Sequence, residues 1–310
     1  MTRVRSRGVA LLIVVALTAA VAILVASLQF HGALQIRRTT NLVLAEQARA
    51  YHRGAEDWAG AMLQREARDD AGDDLTEPWN QQGLVLPIEG GRLVGTLRDL
   101  QGRFNLNDLL AEDGSVDDAA LARFRRLLTT LEVDEPERVA GALVDWLDPG
   151  QEPHFPFGAE DQTYLRLVPA YRSGDRAMLW VGELRTVDGM TAAAYAKLAP
   201  NLAALPRGGA LNVNTAPLAV LQSLADGAIG DPLSGVLARQ RAAPFADASD
   251  FAREFGHSIP DGTALGTRSQ HFALETAVEF DGLTTTMYSL LARTSGGAVR
   301  TLRRSADPEP

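Results

Sequence analysis

Arg7-Gly8-Val9-Ala10-Leu11-Leu12-Ile13 opens an apolar run that continues to Phe30, with Thr18, Ser27 and Gln29 as its only polar side chains. Arg3, Arg5 and Arg7 precede it, and no formal charge follows until Arg37. A 22-residue helix rises about 33 Å, enough to cross a hydrocarbon core of ~30 Å. The arginines place the start of the chain on the cytoplasmic side and the rest of it across the membrane. A cleaved signal peptide has a shorter apolar stretch and an A-x-A-like site. Ala20-Val21-Ala22 offers such a site, but the apolar run extends well past it. A plain signal anchor also fits the length.

A third reading rests on the junction itself. Residues 7–13 resemble a type IV pilin-like leader, which a membrane peptidase cuts after the glycine, between Gly8 and Val9, leaving the helix in the mature protein. Most pilins carry glutamate at the fifth mature position, where this chain has Ile13. A carboxylate inside a membrane helix costs about 2.5–3.5 kcal/mol on insertion scales and is normally partnered. In pilin-like filaments its partner is thought to be the amine of a neighbouring subunit, a pairing Ile13 cannot make. One unusually large family usually lacks this glutamate: the K-class minor pseudopilins of type II secretion systems (general secretion pathway protein K). This chain resembles them.

The fold class expected is α+β. Residues 1–8 are a leader, 9–30 the transmembrane part of a long helix and 31–68 its periplasmic part. Leu42, Ala45, Ala48, Ala55, Trp58, Ala59 and Met62 recur at helical spacing, with Glu46, Arg49, Arg53, Glu56 and Asp57 on other faces. Asp69, Asp70, Gly72, Asp73 and Asp74 read as a loop. Strand-like segments at 83–88 and 92–100 flank Glu89-Gly90-Gly91, a hairpin signal. Asn107 or Asp108 is the expected cap of the next segment. Helices are expected at 116–131, 136–147, 187–198, 217–224, 232–241 and 248–255. Strands are expected at 270–281, 284–294 and 298–303. Strands on both sides of a helical block suggest a pilin-like sheet head (69–104 and 265–304) split by an inserted α-helical domain (105–264), with a disordered tail at 305–310. Insertion into a loop costs little closure entropy, and K-class members resemble this plan.

The chain is acidic, with a net charge of -9. Loss of residues 1–8 would leave 27 basic against 39 acidic side chains, a net charge of -12. That balance argues against nucleic acid as a partner. Cysteine is absent, which excludes disulfides and thiolate chemistry.

Asp145-Trp146-Leu147-Asp148-Pro149-Gly150 and Phe157-Gly158-Ala159-Glu160-Asp161 bracket a proline-punctuated loop. Asp145, Asp148, Glu160, Asp161 and Asp175 could converge there. Calcium takes six to eight oxygens from such groups, but the spacing is not that of an EF-hand. A solvated loop with a helix end capped at Asp148 explains the spacing equally well. K-class proteins look similar here, with Tyr164 and Pro169-Ala170-Tyr171-Arg172 coming next, and the resemblance implies that several of these acids bind calcium. Gly150 and Ser173-Gly174-Asp175 depart from the family pattern. The stretch 211–251, opening with Leu211-Asn212-Val213-Asn214-Thr215-Ala216-Pro217, is similar to a helix-hairpin-helix (SAM-like) unit. Asp226 and Asp231 flank its hairpin, and only Arg239 and Arg241 lie near, so a structural module is expected rather than a DNA reader.

No catalytic set emerges. His31, His52, His154, His257 and His271 lack a metal-site spacing, and neither a G-x-S-x-G elbow nor a P-loop is present. The resemblance implies a non-enzymatic subunit at the tip of a periplasmic pseudopilus, anchored once in the bacterial inner membrane, N-terminus cytoplasmic and C-terminal domain periplasmic. It implies prepilin peptidase, the inner-membrane assembly platform and other minor pseudopilins (I and J classes, and H) as partners. A signal-anchored periplasmic metal-dependent hydrolase and a type IV pilus minor pilin are the alternatives.

Overall fold

The computed structural model describes residues 6–67, 72–81, 83–225, 232–280 and 282–306. Helix α1 (Ser6–Glu66) runs unbroken through the Gly8–Val9 junction and past Gly54. Its apolar half is long and apolar enough to cross a membrane: an 18-residue window has a mean hydropathy of 3.1 and no part of it is buried. Thr18 Oγ1 donates to its own helix, at Val14 O (3.1 Å) and Val15 O (2.9 Å), as a hydroxyl in lipid must.

The second half of α1 is a docking helix. Ala48, His52, Ala55, Glu56, Ala59 and Leu63 are buried at spacings of one, three and four, a single helical stripe. Two expectations fail here. Leu42 and Trp58 are exposed, whereas Glu56, expected on a solvent face, is buried. The reason lies far away in sequence. Glu56 accepts from Ser289 Oγ, Thr301 Oγ1 (3.2 Å) and Arg304 Nη2 (2.7 Å), so the sheet pairs its charge.

Strands β1 (Leu84–Ile88) and β2 (Gly91–Asp99) form the first hairpin. Gly91 must be small, because a Cβ there would lie 1.9 Å from Glu279 O. The block after the hairpin holds β3 (Phe104–Asn105), α2 (Asp118–Thr130), α3 (Pro136–Leu147), α4 (Asp161–Tyr164) and α5 (Ala192–Leu198), then β4 (Leu202–Ala203) and β5 (Leu211–Asn212). It continues with α6 (Leu218–Gln222), α7 (Pro232–Ala242), α8 (Ala248–Phe255) and β6 (Leu265–Gly266). Then β7 (His271–Phe280), β8 (Leu283–Arg293) and β9 (Val299–Ser305) return to the first sheet. The sheet order is β1-β2-β7-β8-β9, antiparallel throughout. Strand β2 therefore pairs with β7, from Gly91↔Phe280 to Asp99↔Phe272, across the whole intervening block.

Period-two alternation directs the packing. Phe272, Leu274, Thr276, Val278 and Phe280 of β7 are buried; the apolar ones pack with Ala48, Ala55, Ala59 and Leu63 of α1, and Thr276 hydrogen-bonds to His52. Ala273 and Leu290 pack instead with Leu100, Ala203 and Leu205, joining sheet and helical block. The block has its own core, which includes Phe104, Phe124, Leu143, Tyr164, Leu184, Leu198 and Phe251.

The block is less helical than its composition implies. Between α3 and α5 only α4 and a 3-10 turn (Val181–Thr186) are regular, and α5 begins at Ala192 rather than 187. The two-residue parallel pairs β3–β4 and β5–β6 have no counterpart among the expected strands. The first 3-10 turn of the block (Leu106–Leu109) is capped by Asn105, not by Asn107 or Asp108. Ser305, expected in a tail, pairs with Tyr288. Arg3 and Arg5 of the leader, Asp69 and Asp70 of the acidic loop, the hairpin residues 226–231 and residues 307–310 lie outside the described residues.

Candidate functional site

Helix α3 begins with a proline at its first turn, which fits the fixed φ of that residue. It carries Asp145 into full burial in its last turn. Asp148 caps the helix C-terminus, and its Oδ1 accepts from Gly150 N–H at 2.6 Å. The chain then loops out and returns at Glu160, which precedes α4 and is buried. The return path is tight. Gly158 N–H donates to His154 O at 2.7 Å, and a Cβ on Gly158 would fall 2.1 Å from Asp145 Oδ2. Gly141, on α3, leaves room for Phe157 in the same way. Both glycines are structural members of the site that acid-spotting in the sequence does not reveal.

Asp145, Asp148 and Glu160 each offer a carboxylate oxygen within 4.8 Å of the others. Asp145 Oδ1 accepts from His154 N–H at 2.9 Å, but its Oδ2 has no hydrogen-bond partner. Both oxygens of Glu160 are buried without a partner. Burial pushes the Glu160 carboxyl up to about 7, and the charges of Asp145, Asp148, Asp175 and Asp161 push the same way. Burial likewise raises Asp145, against the hydrogen bond from His154. Uncompensated buried carboxylates are costly. A divalent cation would supply the missing counter-charge and take up the orphaned oxygens, so the donor set fits an oxygen-seeking ion such as calcium.

The other two acids stand outside this group. Asp161 Oδ1 accepts from Ser173 N–H (3.1 Å) and Ser173 Oγ (3.0 Å), and its Oδ2 lies 3.4 Å from Arg172. Asp175 has φ +48° and faces Gln151 Nε2 at 3.4 Å. An aromatic cluster holds the returning segment: Trp146 meets Tyr164 edge-on with centroids 5.4 Å apart, and Tyr164 stacks on Tyr171 at 5.3 Å. Tyr171 Oη donates to Thr186 O at 2.9 Å. The tyrosines of the sequence motif thus pack with Trp146 beside the acids.

The helix-hairpin-helix-like stretch has another job. Asn212 Nδ2 donates to Asp73 O (2.9 Å) and Asp99 Oδ2 (3.0 Å), stitching the block to the head. Asn214 exchanges two hydrogen bonds with the Phe245 backbone. Arg239 is spent on Asp250 (2.9 Å) and Glu254 (2.7 Å). The leader junction and Ile13 lie on the apolar half of α1, where Val9 and Ile13 are exposed.

A family model described as type II secretion system protein K matches residues 102–207, and a second of the same description matches residues 211–269. The type II secretion system protein K of Pseudomonas aeruginosa is 35% identical over 311 residues, covering 96% of this chain and 92% of that protein. That of Aeromonas hydrophila is 38% identical over 223 residues, covering 68% of this chain and 67% of its own length. A chain in the crystal structure of the GspK-GspI-GspJ complex from the enterotoxigenic Escherichia coli type 2 secretion system is similar, with a TM-score of 0.77 and 26% identity. It covers 86% of this chain and 98% of its own. These matches do not favour the hydrolase or the type IV pilus alternative. Matched over nearly its whole length, the chain belongs to the type II secretion system protein K family and is a minor pseudopilin of that machine.

Proposed function

We propose that this minor pseudopilin caps the pseudopilus tip and helps to start its assembly. The observation that carries the reading is Ile13, apolar and exposed on α1 where a filament-body subunit needs a carboxylate. A subunit with nothing above it has no amine to meet. The inserted block supports the same position, since its bulk is harmless only at an end. Its partners are other minor pseudopilins, of the I and J classes and H; the GspK-GspI-GspJ complex of the similar structure supports this. The inner-membrane assembly platform receives it, with the C-terminal domain periplasmic. Prepilin peptidase cuts between Gly8 and Val9, and the protein acts without catalysis.

The test is Ile13→Glu in the secreting bacterium. Filament initiation and secretion should fall, because an unpaired carboxylate is set in the membrane; unchanged secretion would overturn the tip argument. N-terminal sequencing of the mature protein should begin at Val9. A start at Ile23, behind Ala20-Val21-Ala22, would sink the leader.

The acidic loop completes the proposal. Asp145, Asp148 and Glu160 hold a calcium ion, with Asp161 and Asp175 contributing charge from outside the group. The ion fastens the loop after α3 to the start of α4, so its role is structural. Calcium should raise the unfolding midpoint of the chelated protein, and no rise at millimolar calcium would remove the ion from the proposal.

A further inference from the structure

Where the inserted block meets the end of the sheet there is a partly open cleft of about 200 Å³. Its walls come from Arg103 and Asn105 around β3, the first turn of α2, Arg123 one turn further on, the 205–211 segment and His271 at the start of β7. The cleft is smaller than the roughly 300–1,000 Å³ of sites for drug-sized ligands, and suits a group of a few heavy atoms.

Three guanidiniums line this cleft, and they are unequally satisfied. Arg207 is fixed by backbone carbonyls, donating from Nε to Asn107 O (3.1 Å) and from Nη1 to Ala111 O (3.2 Å). Arg103 reaches only Leu202 O, at 3.5 Å. Arg123 lies over the Phe104 ring, 4.7 Å from its centroid, and its Nε is buried with no hydrogen-bond partner. Burial pulls Arg123 down to about 10 and lowers Arg103 as well, so both charges are held in poorly solvated positions.

Asp108 and Asp117 act on Arg123 through space and partly offset its burial, but neither hydrogen-bonds to it. Asp108 accepts from Asn105 Nδ2 (2.9 Å) and Gly208 N–H (3.0 Å). Asp117 caps α2 by accepting from Ala120 N–H at 2.9 Å. Glu112 is exposed at the rim. Among the described residues, none of Arg103, Arg123 and Arg207 is in an ion pair. A half-buried guanidinium whose Nε has no acceptor suits a planar or tetrahedral oxyanion, which it can grip with paired N–H groups. The positive end of α2, a helix of 13 residues, faces the same space.

We propose that this cleft is a binding site for a compact oxyanion, a phosphate- or carboxylate-type group gripped by Arg123 with Arg103 and Arg207. Bound there, the anion would tie α2 and the 205–211 segment to the end of the sheet, at the joint between inserted block and head.

Thermal unfolding of the full chain in detergent tests this, with sodium phosphate and sodium succinate each titrated against sodium chloride at matched ionic strength. A saturable rise in midpoint with phosphate, succinate or both is expected, and which anion saturates assigns the class. Arg123→Gln should weaken the apparent affinity at least tenfold, while Arg300→Gln, exposed on β9, should leave it unchanged. If Arg123→Gln fails to unfold cooperatively, Arg207→Gln is read in its place. The proposal is overturned if neither anion gives a saturable rise above chloride, or if the cleft variant responds as the parent does.

Discussion

Asp73 in the head and Glu160 in the acidic loop are both nearly inaccessible, 2% and 3% exposed. Their surroundings are opposite. Asp73 Oδ2 accepts from the Arg293 guanidinium and from Ser269 N–H (2.7 Å), with Arg293 itself buried and also bonded to Ser269 O (2.6 Å). Glu56 is treated similarly, with Arg304, Ser289 and Thr301 around it. Glu160 has no donor at all, and its nearest charged neighbours are acids. Asp73 and Glu56 have their counter-charges within the chain, whereas the charges that act on Glu160 are those of acids. The proposed calcium ion would complete by binding what folding completes around Asp73.

The sharpest way to break this comparison is to unfinish the head. Arg293→Ala leaves Asp73 buried without its cation, and removing one partner of a buried pair costs about 3–5 kcal/mol. Urea unfolding of the variant should show that loss whether calcium or chelator is present. A loss below about 1 kcal/mol would mean that Asp73 is satisfied without Arg293, and this pair would not be what separates Asp73 from Glu160. Calcium should produce the next largest effect, on the loop instead. At a free concentration 100-fold above its dissociation constant, an ion that binds only the folded state adds ~2.7 kcal/mol. The gain should vanish in Asp145→Asn and persist in Arg293→Ala.

Glu56 and Glu160 should also respond to pH with opposite sign. Burial pushes Glu56 up, but the hydrogen bonds from Arg304 and Ser289 outweigh it and hold the carboxyl below its usual range. Its contribution is present above the ordinary carboxylate pKa and is lost as pH falls through the depressed value. Glu160 is raised to about 7. Without metal, its contribution is present below the ordinary carboxylate pKa and is lost as pH rises through about 7. Chelated protein should therefore lose stability between about pH 4.5 and 7 through Glu160, and Glu160→Gln should reduce that fall, leaving the part due to Glu77 of the head, which burial also raises to about 7. Saturating calcium should reduce it too, since the ion favours the ionised form. A fall that is undiminished in Glu160→Gln would place its origin elsewhere.

Legibility in the sequence tracks the range of the interactions involved. The apolar half of α1, its Ala48, Ala55 and Ala59 stripe, the hairpin at Glu89-Gly90 and the three late strands are local patterns, and each is readable within ten residues or so. Glu56 reads as a solvent-face residue because its partners lie 233 or more residues away on β8 and β9. His52 is hidden in the same way, between Thr276 (2.7 Å) and Thr285 (3.1 Å). The two-residue strands β3 to β6 have no pattern to read, for they exist only where the block closes on itself. The acidic loop is intermediate. Its five acids are visible as a composition, but that only Asp145, Asp148 and Glu160 come together depends on Gly158 beside Asp145 and on the packing of Trp146, Tyr164 and Tyr171, neither of which spacing encodes.

That intermediate case gives the smallest and most discriminating expectation. Asp161 comes directly after Glu160, so sequence alone ranks them together. The structure separates them, because Asp161 is already satisfied by Ser173 and approached by Arg172. Asp161→Asn keeps an acceptor for Ser173 N–H and Oγ and removes one negative charge near Glu160. Stability in chelator should change by no more than about 0.5 kcal/mol, the range of substitutions away from buried unpaired groups. The calcium-dependent rise should remain, slightly reduced by the lost charge. Glu160→Gln, one residue away, should abolish that rise. If both variants abolish it, the ion draws Asp161 away from Ser173 as a direct ligand. The loop would then be completed by rearrangement as well as by binding, and its contrast with the head would be larger than the static geometry implies.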